Sequence, residues 1–386
     1  MIISDAGGRL PRATAIRSAT DRTGLAWRRL ALAAGLGAFL VVGAVSAEAQ
    51  APRKKAKYEL KIATLAPEGS TWMNVMGELD AQIREKTNGE VGLRLYPGGI
   101  QGEDLVVLRK IRAGQLHGGG FTGVGLGEIA PSLRVMELPF LFQDAAEVRA
   151  VHEKLDPLFE RTLHDAGYTL VGWAEVGFVY LYSKTPVAST ADLKAQKVWL
   201  WEGDPLAEAF LRAAGVAPVP LSITDVLTSL QTGLITTVYI TPYACIGMQW
   251  FSRTAYTTDI PLTFSTGAVV VTNEAWDRIP AASQPVIREL CDSYFGKLTE
   301  ATAADDRKSM EVIAKSGVKA VTPAPEEIAS FHRIGESVRT QLVGKLYDQS
   351  TLDQVLAALK EYRAAHPATA GGRPPSEGVV PGGSGK

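Results

Sequence analysis

From Tyr58 onward, short β-like runs alternate with amphipathic helical stretches, and this alternation confines the chain to an α/β architecture. Leu60–Ala63 reads as a first strand. Trp72, Val75, Met76, Leu79 and Ile83 then recur at helical spacing behind Ser70, and Asn88-Gly89 stops that helix. Val91, Leu93 and Leu95 mark a second strand, and Leu105, Leu108 and Ile111 a helix ended by Gly114. A longer helix through Val148, Val151, Leu155, Phe159 and Leu163 leads to strands at Tyr168–Trp173 and Phe178–Tyr182, with Glu175-Val176-Gly177 between them as a crossing point. Further strands are expected at Lys197–Trp201, Val216–Val219, Thr236–Thr241 and Gly267–Thr272. Asp204-Pro205 reads as N-cap and N1 of one helix, and Ser222-x-x-Asp225 as an acidic variant of the capping box of the next. Beyond Asn273 the pattern is mainly helical, so the simplest layout is two α/β units joined by repeated crossings, plus a helical C-terminal end.

At 386 residues the chain is too long for one small core. Its two ends read differently from the rest. Arg22, Arg28 and Arg29 precede the apolar run Leu30–Val45, and Ala47-Glu48-Ala49 follows it, the pattern of a cleaved export signal over residues 1–49 and hence of a periplasmic protein. Residues 50–57 read as a linker, and 366–386, rich in Gly and Pro, as a flexible tail. The leader holds six basic and three acidic side chains, so the remainder is mildly acidic, with a net charge of −4 against −1 for the whole chain. No global basic field favours nucleic acid.

The chemistry-bearing motifs are few. His117-Gly118-Gly119-Gly120 imitates the oxyanion loop of some esterases, but no GxSxG nucleophile elbow accompanies it. Gly118 to Gly123 also fits GxGxxG, yet glycines continue at 125 and 127 where a helix should begin, so these glycines read as allowing close backbone approach in a cleft. Two cysteines and five histidines show no metal-site spacing, and no metal or cofactor is expected. Cys245 and Cys291 could pair in an oxidising compartment. Carboxylate pairs such as Asp305-Asp306 read as solvated helix faces. Phe178, Tyr180, Trp199, Trp201, Tyr239 and Tyr243 fall at strand ends or in short loops, and each could serve either the core or a ligand pocket.

Several segments in order carry a resemblance: KIATLAPEGSTWMNVMGELDAQIREKTNGEVGLRLYPGG, LPFLF, DLKAQKVWLWEGDP, PLSITDVLTSLQTGLITTVYITP and VVVTNEAWDRIP. Over about Tyr58 to Pro367 the chain resembles the solute-binding subunits of tripartite ATP-independent periplasmic (TRAP) transporters, the DctP type. The resemblance implies a type II-like periplasmic-binding fold: two α/β lobes with crossing strands, a long helix spanning both, and a helical C-terminal end. It implies a first lobe over 58–175 plus 261–300 and a second over 176–260 plus 301–365. Hinges are expected near Glu175–Gly177 and around Asp259–Leu262, with ligand captured by closure and delivered to the small and large permease subunits. The protein is expected to be a monomer and no enzyme.

The departures from that family are specific. Its members carry an arginine for a substrate carboxylate in the strand where this chain has Lys197-Val198-Trp199-Leu200-Trp201, so the arginine position is Trp199. A second arginine of some carboxylate binders would fall near Val179, and the family's polar "Asp-Gly-x-Glu-Asn-Pro" segment reads Thr236 to Pro242 here. Neither Trp nor Val can pair with a carboxylate in the bidentate manner of arginine. The expected ligand is therefore apolar or weakly polar, held by Trp72, Thr122, Phe178, Trp199, Trp201, Tyr239 and Tyr243. Alternatives are a quaternary amine in an aromatic cage of Trp199, Trp201 and Tyr239 beside Glu175 or Glu202, and a sensor domain without a permease. An exported hydrolase has only the HGGG stretch in its favour.

Overall fold

Strand β1 (Tyr58–Thr64) leads into α1 (Thr71–Lys86), whose start is set by Ser70: its hydroxyl accepts the Met73 N–H at 3.3 Å, satisfying an amide that a helix start leaves without a partner. The computed structural model describes residues 55–367; the leader over 1–49 and nearly all of the 366–386 tail lie outside the described residues. After α1 come β2 (Val91–Tyr96), α2 (Asp104–Arg112), β3 (Gly118–Thr122), α3 (Gly123–Ile129), a 3-10 turn over Pro131–Glu137, α4 (Ala145–Asp165) and β4 (Tyr168–Trp173). The chain then crosses to β5 (Gly177–Ser183), α5 (Thr190–Lys194), β6 (Trp199–Trp201), α6 (Pro205–Ala213), β7 (Val219–Leu221), a 3-10 turn Ile223–Asp225, α7 (Val226–Thr232), β8 (Thr237–Ile240) and α8 (Pro242–Gly247). It returns through β9 (Tyr256–Thr258) and β10 (Thr263–Ser265) to β11 (Gly267–Thr272) and α9 (Asn273–Asp277). The end is α10 (Gln284–Lys315), β12 (Lys319–Val321), α11 (Pro325–Gln341) and α12 (Gln349–Ala365).

Two sheets organise two lobes. The first has the order β2-β1-β3-β11-β4, with β1 parallel to β2 and β3, and β11 antiparallel to β3 and β4. In β11 every residue from Gly267 to Val271 is buried, as a central strand covered on both faces requires. Alternation sends Val269 and Val271 to the core with Met76, Trp276 and Phe295, and Ala268 and Val270 to the core with Phe121, Leu126 and Phe159. The second sheet runs β10-β5-β9-β12 with β8 also on β5, and β6 pairs with β7 in a small parallel ribbon.

The HGGG stretch is not a loop. Gly118–Gly120 lie in the middle of the first sheet as β3, between β1 and β11. A Cβ at Gly118 would overlap the Val270 carbonyl oxygen, so glycine is what lets β11 approach. His117 Nδ1 accepts the Lys61 N–H at 3.1 Å, and burial lowers its pKa.

The lobes are joined by strands lying side by side. Between β4 and β5, the Ala174 and Val176 N–H groups donate to Gly267 and Ser265 carbonyls at 2.7 and 3.1 Å. The return crossing therefore sits at Ser265–Gly267, a few residues beyond the expected Asp259–Leu262; β10 already pairs with β5 of the second sheet. The 32-residue α10, about 48 Å long at 1.5 Å per residue, packs against α1, β4, β5 and α8. α12 packs on α4. β7 forms three residues later than the sequence pattern suggests, because parallel pairing aligns Val219 to Leu221 with Trp199 to Trp201. Cys245 and Cys291 are both free and buried in different hydrophobic clusters. Among the described residues no helix is long and apolar enough to cross a membrane.

Candidate functional site

In front of the crossing strands, between the two lobes, lies a cavity of about 520 Å³. Small-molecule pockets span roughly 300–1,000 Å³. From the first lobe, Trp72 reaches it from α1 by lying over β3, which is permitted because Gly120 has no Cβ; one there would sit 2.8 Å from Trp72 Cζ2. Thr122 ends β3 at the cavity wall, and its hydroxyl donates to Asp104 at 2.8 Å. The buried Asp104 carboxylate also accepts the Thr122 and Gly125 N–H groups at 3.0 and 3.2 Å. Burial nevertheless pushes its pKa up to about 6.

The second lobe supplies an aromatic wall. Trp199 and Trp201, on one face of β6, stack at 5.9 Å, and Trp199 stacks on Tyr239 at 5.1 Å while Trp250 meets it edge-on. Trp199 is only 1% exposed and its indole N–H donates to Leu221 O at 3.0 Å, so it is the back of the wall. Tyr239 accepts the Trp201 N–H at 3.1 Å, and burial raises its pKa well above that of a free phenol. Tyr243, at the start of α8, accepts the Thr71 N–H at 3.3 Å and so touches both lobes.

Six of the seven expected ligand residues, Trp72, Thr122, Trp199, Trp201, Tyr239 and Tyr243, line this one cavity. Phe178 does not. Alternation along β5 turns Val179 to the cavity and sends Phe178 and Tyr180 to a separate hollow of about 1500 Å³ behind the crossing strands, where Phe178 packs edge-on against Phe264. For the alternative aromatic cage, Trp201 and Tyr239 each lie within about 30° of parallel to Trp199, and of its two acids Glu175 lines the cavity while Glu202 is exposed and does not.

The charges of the site were not anticipated. Arg134 is buried at the cavity wall, with Nη2 2.7 Å from Asp204 Oδ1 and Nε 3.2 Å from Glu137 Oε2. Burial alone would lower the Arg134 pKa, but the two carboxylates outweigh it and raise it. Burial raises the Glu137 pKa despite Arg134 and the Thr266 N–H, which donates to Glu137 at 2.7 Å. Gly123 leaves the space Glu137 occupies. The available sequence signal was a charge pair at i,i+3, Arg134 and Glu137, inside the apolar run from Leu133 to Phe142. Two further groups carry the junction: Asp305 accepts the Thr71 hydroxyl and Asp306 the Tyr243 N–H at 2.9 Å, so the expected solvated pair instead ties α10 to the starts of α1 and α8.

Comparison with known proteins matches this geometry. The chain is similar to the 2,3-diketo-L-gulonate-binding periplasmic protein YiaO of Escherichia coli (strain K12), 22% identical over 68% of this chain and 80% of that one. It is similar to the ectoine/5-hydroxyectoine-binding periplasmic protein UehA of Ruegeria pomeroyi, 24% identical over 77% of this chain and 88% of that one. Among solved structures, a TRAP periplasmic solute binding protein from Xanthobacter autotrophicus Py2 with bound β-D-galacturonate superposes with a TM-score of 0.73 at 19% identity, covering 78% of this chain and 99% of that one, a likeness of fold. The family model for bacterial extracellular solute-binding protein, family 7 (DctP) matches residues 62–345, and this two-lobed chain belongs to that family of TRAP-type solute-binding proteins.

Proposed function

We propose that this protein captures an apolar or weakly polar small molecule in its interlobe cleft and hands it to the small and large permease subunits of a TRAP transporter. One observation carries the ligand class: the only arginine on the cavity wall among the described residues is already paired with Asp204 and Glu137, while the family's carboxylate-binding arginine position holds the buried Trp199. A ligand carboxylate would meet an arginine already neutralised by two carboxylates, with Glu68 and Glu175 also on the wall. Desolvating it without a partner costs several kcal/mol, of order 2–7 for polar groups and more for charges. The rest of the wall is mostly apolar, from Leu, Ile, Val, Ala, Phe, Trp, Met and Pro, and each apolar side chain covered contributes about 25 cal/mol per Å².

Hinge closure about the paired crossings at Ala174–Val176 and Ser265–Gly267, export through residues 1–49, and lobes that divide at these two crossings complete the reading. Trp72, Thr122, Trp201, Tyr239 and Tyr243 are its ligand-facing residues, with Trp199 behind them. Native mass spectrometry of protein purified from a periplasmic extract tests it. The expected result is a one-to-one complex with an uncharged organic compound; a bound sugar acid or dicarboxylate removes the apolar part and leaves the capture role.

A further inference from the structure

We propose that Glu103 is a positioning residue for ligand retention, whose carboxylate latches the two lobes and holds the Trp201 wall in place. The latch needs the opening and closing cleft of the capture reading, but is independent of the ligand's chemistry.

Glu103 stands at the N-cap position of α2, where a carboxylate ordinarily accepts amides of its own helix; it makes no such bond. It reaches across the cleft instead. Its Oε2 accepts the Trp201 indole N–H at 3.0 Å and its Oε1 accepts the Ile223 backbone N–H at 2.9 Å. Glu103 belongs to the first lobe, Trp201 and Ile223 to the second, and both of the latter line the cavity. The Ile223 amide opens a 3-10 turn and so has no partner within it. The capping box expected there does not supply one, because the Ser222 hydroxyl is engaged by Thr224 and Asp225 side chains. Next to these bonds, Leu105 of α2 packs over Gly203, whose φ of +84° and missing Cβ admit it; a Cβ there would sit 2.7 Å from Leu105 Cδ1.

Opening the cleft must therefore break these two hydrogen bonds to a carboxylate and separate the apolar contact, in addition to parting Arg134 from Asp204. Trp201 keeps its backbone tie to Tyr239 and its stack on Trp199 in either state, so the bond to Glu103 is the anchor that exists only when the lobes meet. A carboxylate offers one acceptor to each N–H. A glutamine offers one oxygen and an NH₂ that cannot accept, so Glu103→Gln retains one of the two bonds.

The test measures dissociation of the uncharged dye N-phenyl-1-naphthylamine by stopped-flow fluorescence, and of β-D-galacturonate by competition, in wild type, Glu103→Gln and Glu103→Ala. The off-rate should rise about tenfold in Glu103→Gln and more in Glu103→Ala, with on-rates nearly unchanged. Trp201→Phe, which lacks the indole N–H, should resemble Glu103→Gln and add little to Glu103→Ala. Binding of galacturonate but not the dye would overturn the apolar reading, and the latch would then be read from the galacturonate series. X-ray scattering of the ligand-free protein gives a separate arm, in which Glu103→Ala has the larger radius of gyration. Wild-type off-rates for whichever probe binds, or an unchanged radius if neither does, overturn the latch; so does a lowered unfolding midpoint with unchanged off-rates, the mark of a merely structural role.

Discussion

Arg134 Nη2 lies 2.7 Å from Asp204 Oδ1, and the two residues come from opposite sides of the ligand cleft. Both are buried, and Asp204 Oδ1 also accepts the Leu206 and Ala207 N–H groups as N-cap of α6. Arg134→Met leaves Asp204 and Glu137 facing each other without their cation. Breaking a buried pair from one side costs about 3–5 kcal/mol. Urea unfolding should show a loss of that order, and restoring charge balance with Glu137→Gln in the Arg134→Met background should recover part of it. A loss below about 1 kcal/mol, the level of an exposed pair, would show the pair to be solvated.

Burial pushes the Asp306 carboxyl up from 3.8 to about 7, against the Tyr243 N–H that favours its charged form. A raised carboxyl pKa means that the fold favours the protonated form. Its stabilising contribution is full below about pH 4 and is lost as pH rises toward 7, at up to about 1.4 kcal/mol per pH unit. Asp306→Asn, always neutral, should match wild type near pH 4 and exceed it by a few kcal/mol at pH 8 in denaturant unfolding. Asp104→Asn should show the same sign over a narrower window, ending near its value of about 6. A wild-type advantage for either residue that grows with pH would contradict these environments.

Gly118 and Gly120 should respond differently to the same methyl group. At Gly118 the obstacle is the Val270 backbone, which cannot move without parting β3 from β11. At Gly120 it is the Trp72 ring, which can swing into the cleft. Gly118→Ala should therefore cost about 3 kcal/mol or more, and Gly120→Ala about 1 kcal/mol with a shifted tryptophan emission and weaker dye binding. Equal losses at the two positions would count against this arrangement. His117→Ala should leave ester turnover at the background rate.

Thr241 Oγ1 is buried at the cavity wall and has no hydrogen-bond partner among the described residues. Thr241→Val keeps the shape and removes the unpaired hydroxyl, so it should raise stability by about 1 kcal/mol. Destabilisation of similar size would reveal a partner.

Burial raises the pKa of both thiols, that of Cys291 to about 12. The folded protein should resist a thiol reagent at pH 8 and release two equivalents on unfolding without prior reduction. A requirement for reductant would indicate a disulfide.

Much of the fold was legible because it is local. Tyr168–Trp173 and Gly267–Thr272 are runs of β-forming residues bounded by clear stops, and they appear at those limits as β4 and β11. Ser70 and Asp204 cap the helices they precede. β3 escaped detection because glycines carry no strand signal; only the approach of Val270 makes them a strand. β9, β10 and β12, three residues each, are defined by pairing alone. In the site, Phe178 lines a different cavity from the other six expected residues because its strand has cavities on both sides, which alternation alone does not reveal.

By itself, then, the sequence determined the order of elements, most helix starts and the family, since each is written in spacing or in the order of motifs. Only the tertiary structure decided that Arg134 is neutralised by Asp204 from 70 positions away, that Asp305 and Asp306 serve two helix starts, and that Glu103 forgoes its own helix for Trp201 and Ile223. The physical reason is common to all three. A charged side chain reads as solvated until folding removes its water, and its partner is then whichever donor or acceptor the packed lobes bring within about 3 Å.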